Sequence, residues 1–108
     1  MKFKYPKKIK IGAYDYKMIY DKNSGGGSFE LPSKGKIGSI KIGTRDMKGD
    51  DGDFLAILCH ELTEIIHVEL GSRYTEGGTA NDYVFNYRHD KHCTINSMLA
   101  GLLKEFIK

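Results

Sequence analysis

The reading of this chain turns on Asp53-Phe54-Leu55-Ala56-Ile57-Leu58-Cys59-His60-Glu61-Leu62-Thr63-Glu64-Ile65-Ile66-His67-Val68-Glu69-Leu70, followed by Gly71. Its pattern and its ends both predict a helix. Asp53 is suited to cap the first turn by accepting from orphan N–H groups, and Gly71 stands where a left-handed residue ends a helix. Leu55, Leu58, Leu62, Ile65 and Ile66 recur at steps of three and four and form one apolar stripe. At about 100° per residue, His60, Glu64 and His67 fall within about 60° of one another on a different face, with Glu61 on the flank. An imidazole and a carboxylate four residues apart project side by side, close enough to share one metal ion.

Around that helix, 108 residues suffice for one domain, residues 1–108, with one modest core. The apolar fraction of 40% and charged fraction of 29% are those of an ordinary globule. No apolar run is long enough to span a bilayer, and Met1 to Lys8 does not open a cleavable secretion signal. Two cysteines, Cys59 and Cys93, are too few for a disulfide framework, so the expectation is reduced thiols in a cytoplasmic protein.

The net charge of +3 hides an asymmetry. Residues 1–48 carry +8 and residues 49–108 carry −5. A basic first half raises nucleic-acid binding through Lys2, Lys4, Lys7, Lys8 and Lys10 with Tyr5 nearby. The stronger reading is the wet face of a sheet, because the lysines alternate with apolar residues.

Lys8-Ile9-Lys10-Ile11 and Tyr14 to Tyr20 read as two strands of a hairpin about Gly12-Ala13. Asp21 to Ser28, with three glycines, is a loop, and Phe29-Glu30-Leu31 adds a short edge strand. Lys36 to Ile42 is a third clear strand in which Gly38 suggests a bulge. Ser72 to Asn81 reads as loop and Asp82 to Arg88 as a short strand. His89-Asp90-Lys91-His92 turns into a last helix, where Ile95, Met98, Leu99, Leu102, Leu103, Phe106 and Ile107 keep helical spacing. The expectation is an α+β domain: an antiparallel sheet of three to four strands packed with the motif helix and a C-terminal helix.

His60-Glu61-x-x-Glu64 on a helix, preceded by a small sheet and followed by a further helix, resembles the zincin metallopeptidases, in particular the short zincin-like proteins of phages and prophages. The resemblance implies a zincin-like fold and a zinc ion. It also implies that His60 and Glu64 are ligands and that Glu61 is the general base. Glu64 stands where zincins carry a second histidine. A histidine from downstream would restore a set of two imidazoles and one carboxylate with a position open for water.

His89, at the start of the last helix, is the first choice for that third ligand. His92, one turn on, is a ligand or a partner of one. His67 lies about 10.5 Å along the helix from His60 and is less suited. A bound water of lowered pKa would then attack a peptide bond, with Tyr83, Tyr87 or Arg88 as candidate oxyanion partners. The competing expectation is a non-catalytic accessory protein that binds a partner through its basic hairpin or aromatic strands.

Overall fold

The computed structural model describes residues 2–47, 51–75, 83–85 and 88–108. The chain is α+β. A four-stranded sheet is built from β1 (Lys8–Ile11), β2 (Tyr14–Asp21), β3 (Gly27–Glu30) and β4 (Gly38–Gly43). Helix α1 (Asp51–Glu69) and helix α2 (His89–Leu103) pack with it, α2 running on into a 3-10 turn at Lys104–Phe106. A two-stranded ribbon of β5 (Arg73–Thr75) and β6 (Tyr83–Phe85) joins the helices.

The alternation of β1 is repeated in its burial: Ile9 and Ile11 point into the core while Lys8 and Lys10 stay in water. Gly12 supplies the positive φ of +60° that a two-residue turn needs, and Ile11 pairs with Tyr14 across it. On β2, Tyr16 and Met18 face the core, and Lys17 and Ile19 face out. Lys8, Lys10 and Lys17 of the lysine-rich first half therefore lie on the open face of the sheet. Lys8 lies opposite Lys17 in register, and Asp15 stands 3.9 Å from the Lys8 ammonium.

The sheet is mixed, which corrects the antiparallel expectation. Its order is β1-β2-β4-β3, with β2 and β4 parallel and β3 antiparallel to β4. The loop after β2 carries the chain past a vacant position, a step of roughly 9.5 Å for two strand spacings. β4 then returns into that position. Asp21 organises the loop: its carboxylate accepts from Asn23 N at 2.8 Å and from Ser24 Oγ at 2.6 Å. Those bonds hold its pKa below the usual carboxylate value. Gly38 marks no bulge. It stays in register opposite Tyr16, and a β-carbon there would lie 2.7 Å from the Tyr16 ring.

One core fills the space between sheet and helices. Ile9, Ile11, Tyr16, Met18, Ile40 and Ile42 meet Phe54, Leu58, Leu62, Ile65 and Ile66 of α1 and Ile95 of α2. Met98, Leu99, Leu102, Leu103 and Ile107 pack at its margin, and Phe106 is fully buried. The ends of the chain are tied together, with Lys4 N donating to Phe106 O at 2.8 Å and Lys108 N to Lys2 O at 3.0 Å.

Helix α1 starts two residues before Asp53, so that residue sits in the first turn instead of at the cap, where its charge still suits the helix dipole. The other end closes as expected. Gly71 has φ +69°, with Ser72 N on His67 O at 2.8 Å and Gly71 N on Val68 O at 3.1 Å. This paired closure is a Schellman motif. The segment after it is strand at Arg73–Thr75, where loop was expected. Residues 76–82 and 86–87, including Tyr87, lie outside the described residues. Among the described residues, no helix is long and apolar enough to cross a membrane.

Candidate functional site

Helix α1 presents its polar residues along the margin of its buried stripe. His60 is 70% exposed, and its Nε2 lies 3.4 Å from Glu64 Oε2 one turn later. The i, i+4 pair read from the sequence is thus brought together. The other Glu64 oxygen, Oε1, lies 3.1 Å from Nη2 of the Arg73 guanidinium, and both side chains in that ion pair are largely covered, at 14% and 13% exposure. Arg73 reaches this position because the Schellman turn folds β5 back along α1. Its guanidinium also lies over the Phe29 ring of β3, 5.3 Å from the centroid. Nothing in the sequence pattern singled out Arg73, because Glu64 and Phe29 reach it from two separate elements, α1 and β3.

Glu61 turns the other way, toward the edge strand, and only 5% of it is exposed. Its carboxylate lies against the backbone of Gly27. Burial raises its pKa above the ordinary value. The nearby Glu64 adds to that shift, while His60 and Arg73 oppose it. A carboxyl that holds its proton to higher pH is better matched to proton transfer near neutrality.

His67 is 4% exposed and is held by the turn that follows the helix. Its Nδ1 lies 2.8 Å from Ser72 Oγ, while that hydroxyl lies 3.3 Å from His67 O. A serine hydroxyl carries a single proton, so Ser72 Oγ can donate either to His67 O or to Nδ1, and in the first case Nδ1 is the donor to Oγ. Burial lowers the His67 pKa and favours the neutral ring. The Phe85 ring packs against it at 4.5 Å between centroids, tilted by 44°.

Two clefts flank the helix, and His60 lines both. One, of about 370 Å³, runs over Cys59, Thr63, Glu64 and His67 to Phe85. The other, of about 340 Å³, lies between Ile57 and Glu61 on one side and Gly26 and Gly27 on the other. A larger cleft of about 480 Å³ between Tyr14, Leu31 to Lys34 and Glu69 contains neither His60 nor Glu61.

His89 opens α2 and is exposed. Both its ring nitrogens lie 3.9 Å from Cys93 Sγ, and its ring centroid is 6.3 Å from that of His92. His92 Nε2 in turn lies 3.0 Å from Asn96 Nδ2. Arg88 is the N-terminal boundary residue of α2 and makes no side-chain cap. Among the described residues, no group of three or more His, Cys, Asp or Glu is assembled that could hold a metal ion. His60 and Glu64 are brought together, whereas the contacts of His89 are with Cys93 and His92, so a set of three donors is not assembled among the described residues. Both cysteines are free thiols.

No family model matches this chain, and no curated protein and no solved structure matches it.

Proposed function

We propose that this chain is a zinc-dependent, metallopeptidase-like protein of the cytoplasm. In this reading His60 and Glu64 hold the ion, His89 completes the set when it is bound, and Glu61 is the general base. One observation carries the reading: His60 Nε2 lies 3.4 Å from Glu64 Oε2 at the mouth of one cleft, and His60 also lines the cleft on the other flank, which the buried Glu61 faces. A bound zinc ion would supply a water of lowered pKa. The chain's own residues supply the rest. Glu61 takes up a proton at its carboxylate, and the neighbouring edge of β3 has no strand partner among the described residues. An extended peptide can add to such an edge through main-chain hydrogen bonds. Free thiols at Cys59 and Cys93 suit a reducing compartment.

The test is Glu61→Gln assayed on unstructured polypeptide substrates. Hydrolysis should vanish while bound zinc stays at the wild-type level. Loss of zinc with hydrolysis retained would remove Glu61 from its role. A second reading keeps the scaffold without the chemistry: an accessory protein that binds a partner, with metal structural or absent. It draws support from the Glu64–Arg73 ion pair, which satisfies the carboxylate without any metal. In that case Lys8→Glu with Lys10→Glu should abolish partner capture, and His60→Ala should leave it intact.

A further inference from the structure

The cleft of about 480 Å³ lies at the C-terminal end of α1, away from His60 and Glu61. Its size suits a small ligand or one long side chain. Closed turns frame it. Gly12 shapes the β1–β2 turn at φ +60°. Ser33 and Lys36 exchange backbone hydrogen bonds at 2.8 and 3.2 Å around Gly35, which fixes the segment after β3. Gly71 ends α1 two residues beyond Glu69. The cleft is therefore pre-formed.

Tyr14, Leu31, Pro32 and Val68 make most of its wall apolar, and Glu69 is set into that wall. The half-buried carboxylate lies against the β1–β2 turn, where a β-carbon at Gly12 would stand 2.9 Å from Oε2. It makes no hydrogen bond or ion pair among the described residues. It also stands in the last turn of α1, where the helix dipole is negative and a cation is preferred. Lys91 answers that dipole by donating to Leu70 O at 3.0 Å and does not pair with Glu69. The buried Tyr16 hydroxyl, close enough to feel the Glu69 charge, has no partner either. Lys34, exposed on the turn after β3, lines the cleft without pairing to the carboxylate. Two sources of negative potential thus meet at an apolar cleft with no cation bound to them.

We propose that this cleft binds an organic cation on an aliphatic stem, the chemistry of a lysine side chain or of a free alkylamine, with Glu69 as its counter-ion. The stem lies along Leu31, Pro32 and Val68, where its burial releases water from apolar surface. The head pairs with Glu69 beside the Tyr14 ring, whose face attracts a cation. Lys34 is the competitor of the ligand for the carboxylate. The inference uses none of the residues of the metallopeptidase reading and does not depend on it.

The full chain, isotope-labelled for NMR, is titrated at low salt with n-butylammonium chloride, with n-butanol, and with lysine blocked at its α-amino and carboxyl groups. n-Butylammonium should shift the amides of Gly12, Lys34 and Val68 and leave those of His60 and Glu61 in place. It should bind at least about fivefold more tightly than n-butanol, and Glu69→Gln should weaken it by about five- to tenfold. Lys34→Ser should leave binding unchanged or tighten it. Tyr14→Leu, an independent variant should Glu69→Gln not fold, should weaken it by about two- to fivefold. Binding of the blocked lysine as well assigns a side chain of a polypeptide, and binding of n-butylammonium alone assigns a free amine; both support the cation site. Equal affinity for n-butanol, full affinity in Glu69→Gln, weaker binding in Lys34→Ser, or no shift at the cleft overturns it.

Discussion

Gly27 on the edge strand lies directly against Glu61 on α1: a β-carbon at that glycine would stand 2.9 Å from Glu61 Cγ and 3.0 Å from its Oε1. The same atom would be 2.8 Å from Ile57 Cγ2. This contact buries the Glu61 carboxylate, and that burial is the main cause of its raised pKa. It also sets the distance between helix and sheet on the side of the candidate site.

Gly27→Ala should therefore force strand and helix apart. Overpacking of this kind costs about 1–3 kcal/mol, measurable as a lower urea midpoint at constant slope. An unchanged midpoint would mean that β3 does not press on Glu61.

How much of this was legible beforehand depended on whether a feature is local. The α1 stripe could be read because Leu58, Leu62, Ile65 and Ile66 all face one core, and each is fully buried. The Gly71 closure was legible for the same reason, since a left-handed residue is nearly a signature of its place. The parallel pairing of β2 with β4 was not, because alternation reports which face a residue takes and not which strand lies beside it. Three-residue β5 carries too few residues to show a period at all. Of the candidate site, the His60–Glu64 pair followed from helical spacing, whereas Arg73 and Gly27 arrive from β5 and β3 through tertiary packing.

Tyr16 is fully buried, and its hydroxyl has no hydrogen-bond partner among the described residues. Burial, helped by the charge of Glu69, pushes its pKa to about 12, so the phenol stays neutral at any working pH. An orphaned buried hydroxyl costs roughly 1–3 kcal/mol. Tyr16→Phe should consequently leave stability unchanged or raise it, seen as an equal or higher thermal midpoint. A loss above about 1 kcal/mol would reveal a partner for the hydroxyl.

His67 makes stability depend on pH with a definite sign. Its folded pKa lies below the reference value of 6.5, so the folded state resists a proton that the unfolded chain accepts. Its contribution is fully present above about pH 6.5 and is lost as pH falls through the folded pKa. In chelator-treated protein, His67→Gln should flatten the decline between pH 7 and pH 5, by at most about 1.4 kcal/mol per pH unit. Identical slopes in both proteins would show that His67 titrates as it does unfolded.

Leu62 is fully buried beside Glu61 in the middle of α1, with Leu58, Ile65 and Ile66 as neighbours on the same stripe. Leu62→Ala should cost about 2–5 kcal/mol by chemical denaturation. A smaller loss would show that sheet and helix collapse readily onto the gap, and with it that the platform under His60 and Glu64 is soft.

The account rests most heavily on His60 and Glu64 acting together as donors to one ion. Metal content of the tag-free chain, measured by mass spectrometry after dialysis against trace zinc, tests this directly. Wild type should carry about one equivalent, and His60→Ala and Glu64→Ala should each lose most of it while remaining folded. Less than roughly 0.2 equivalents in wild type, or full zinc retained in both variants, would contradict it.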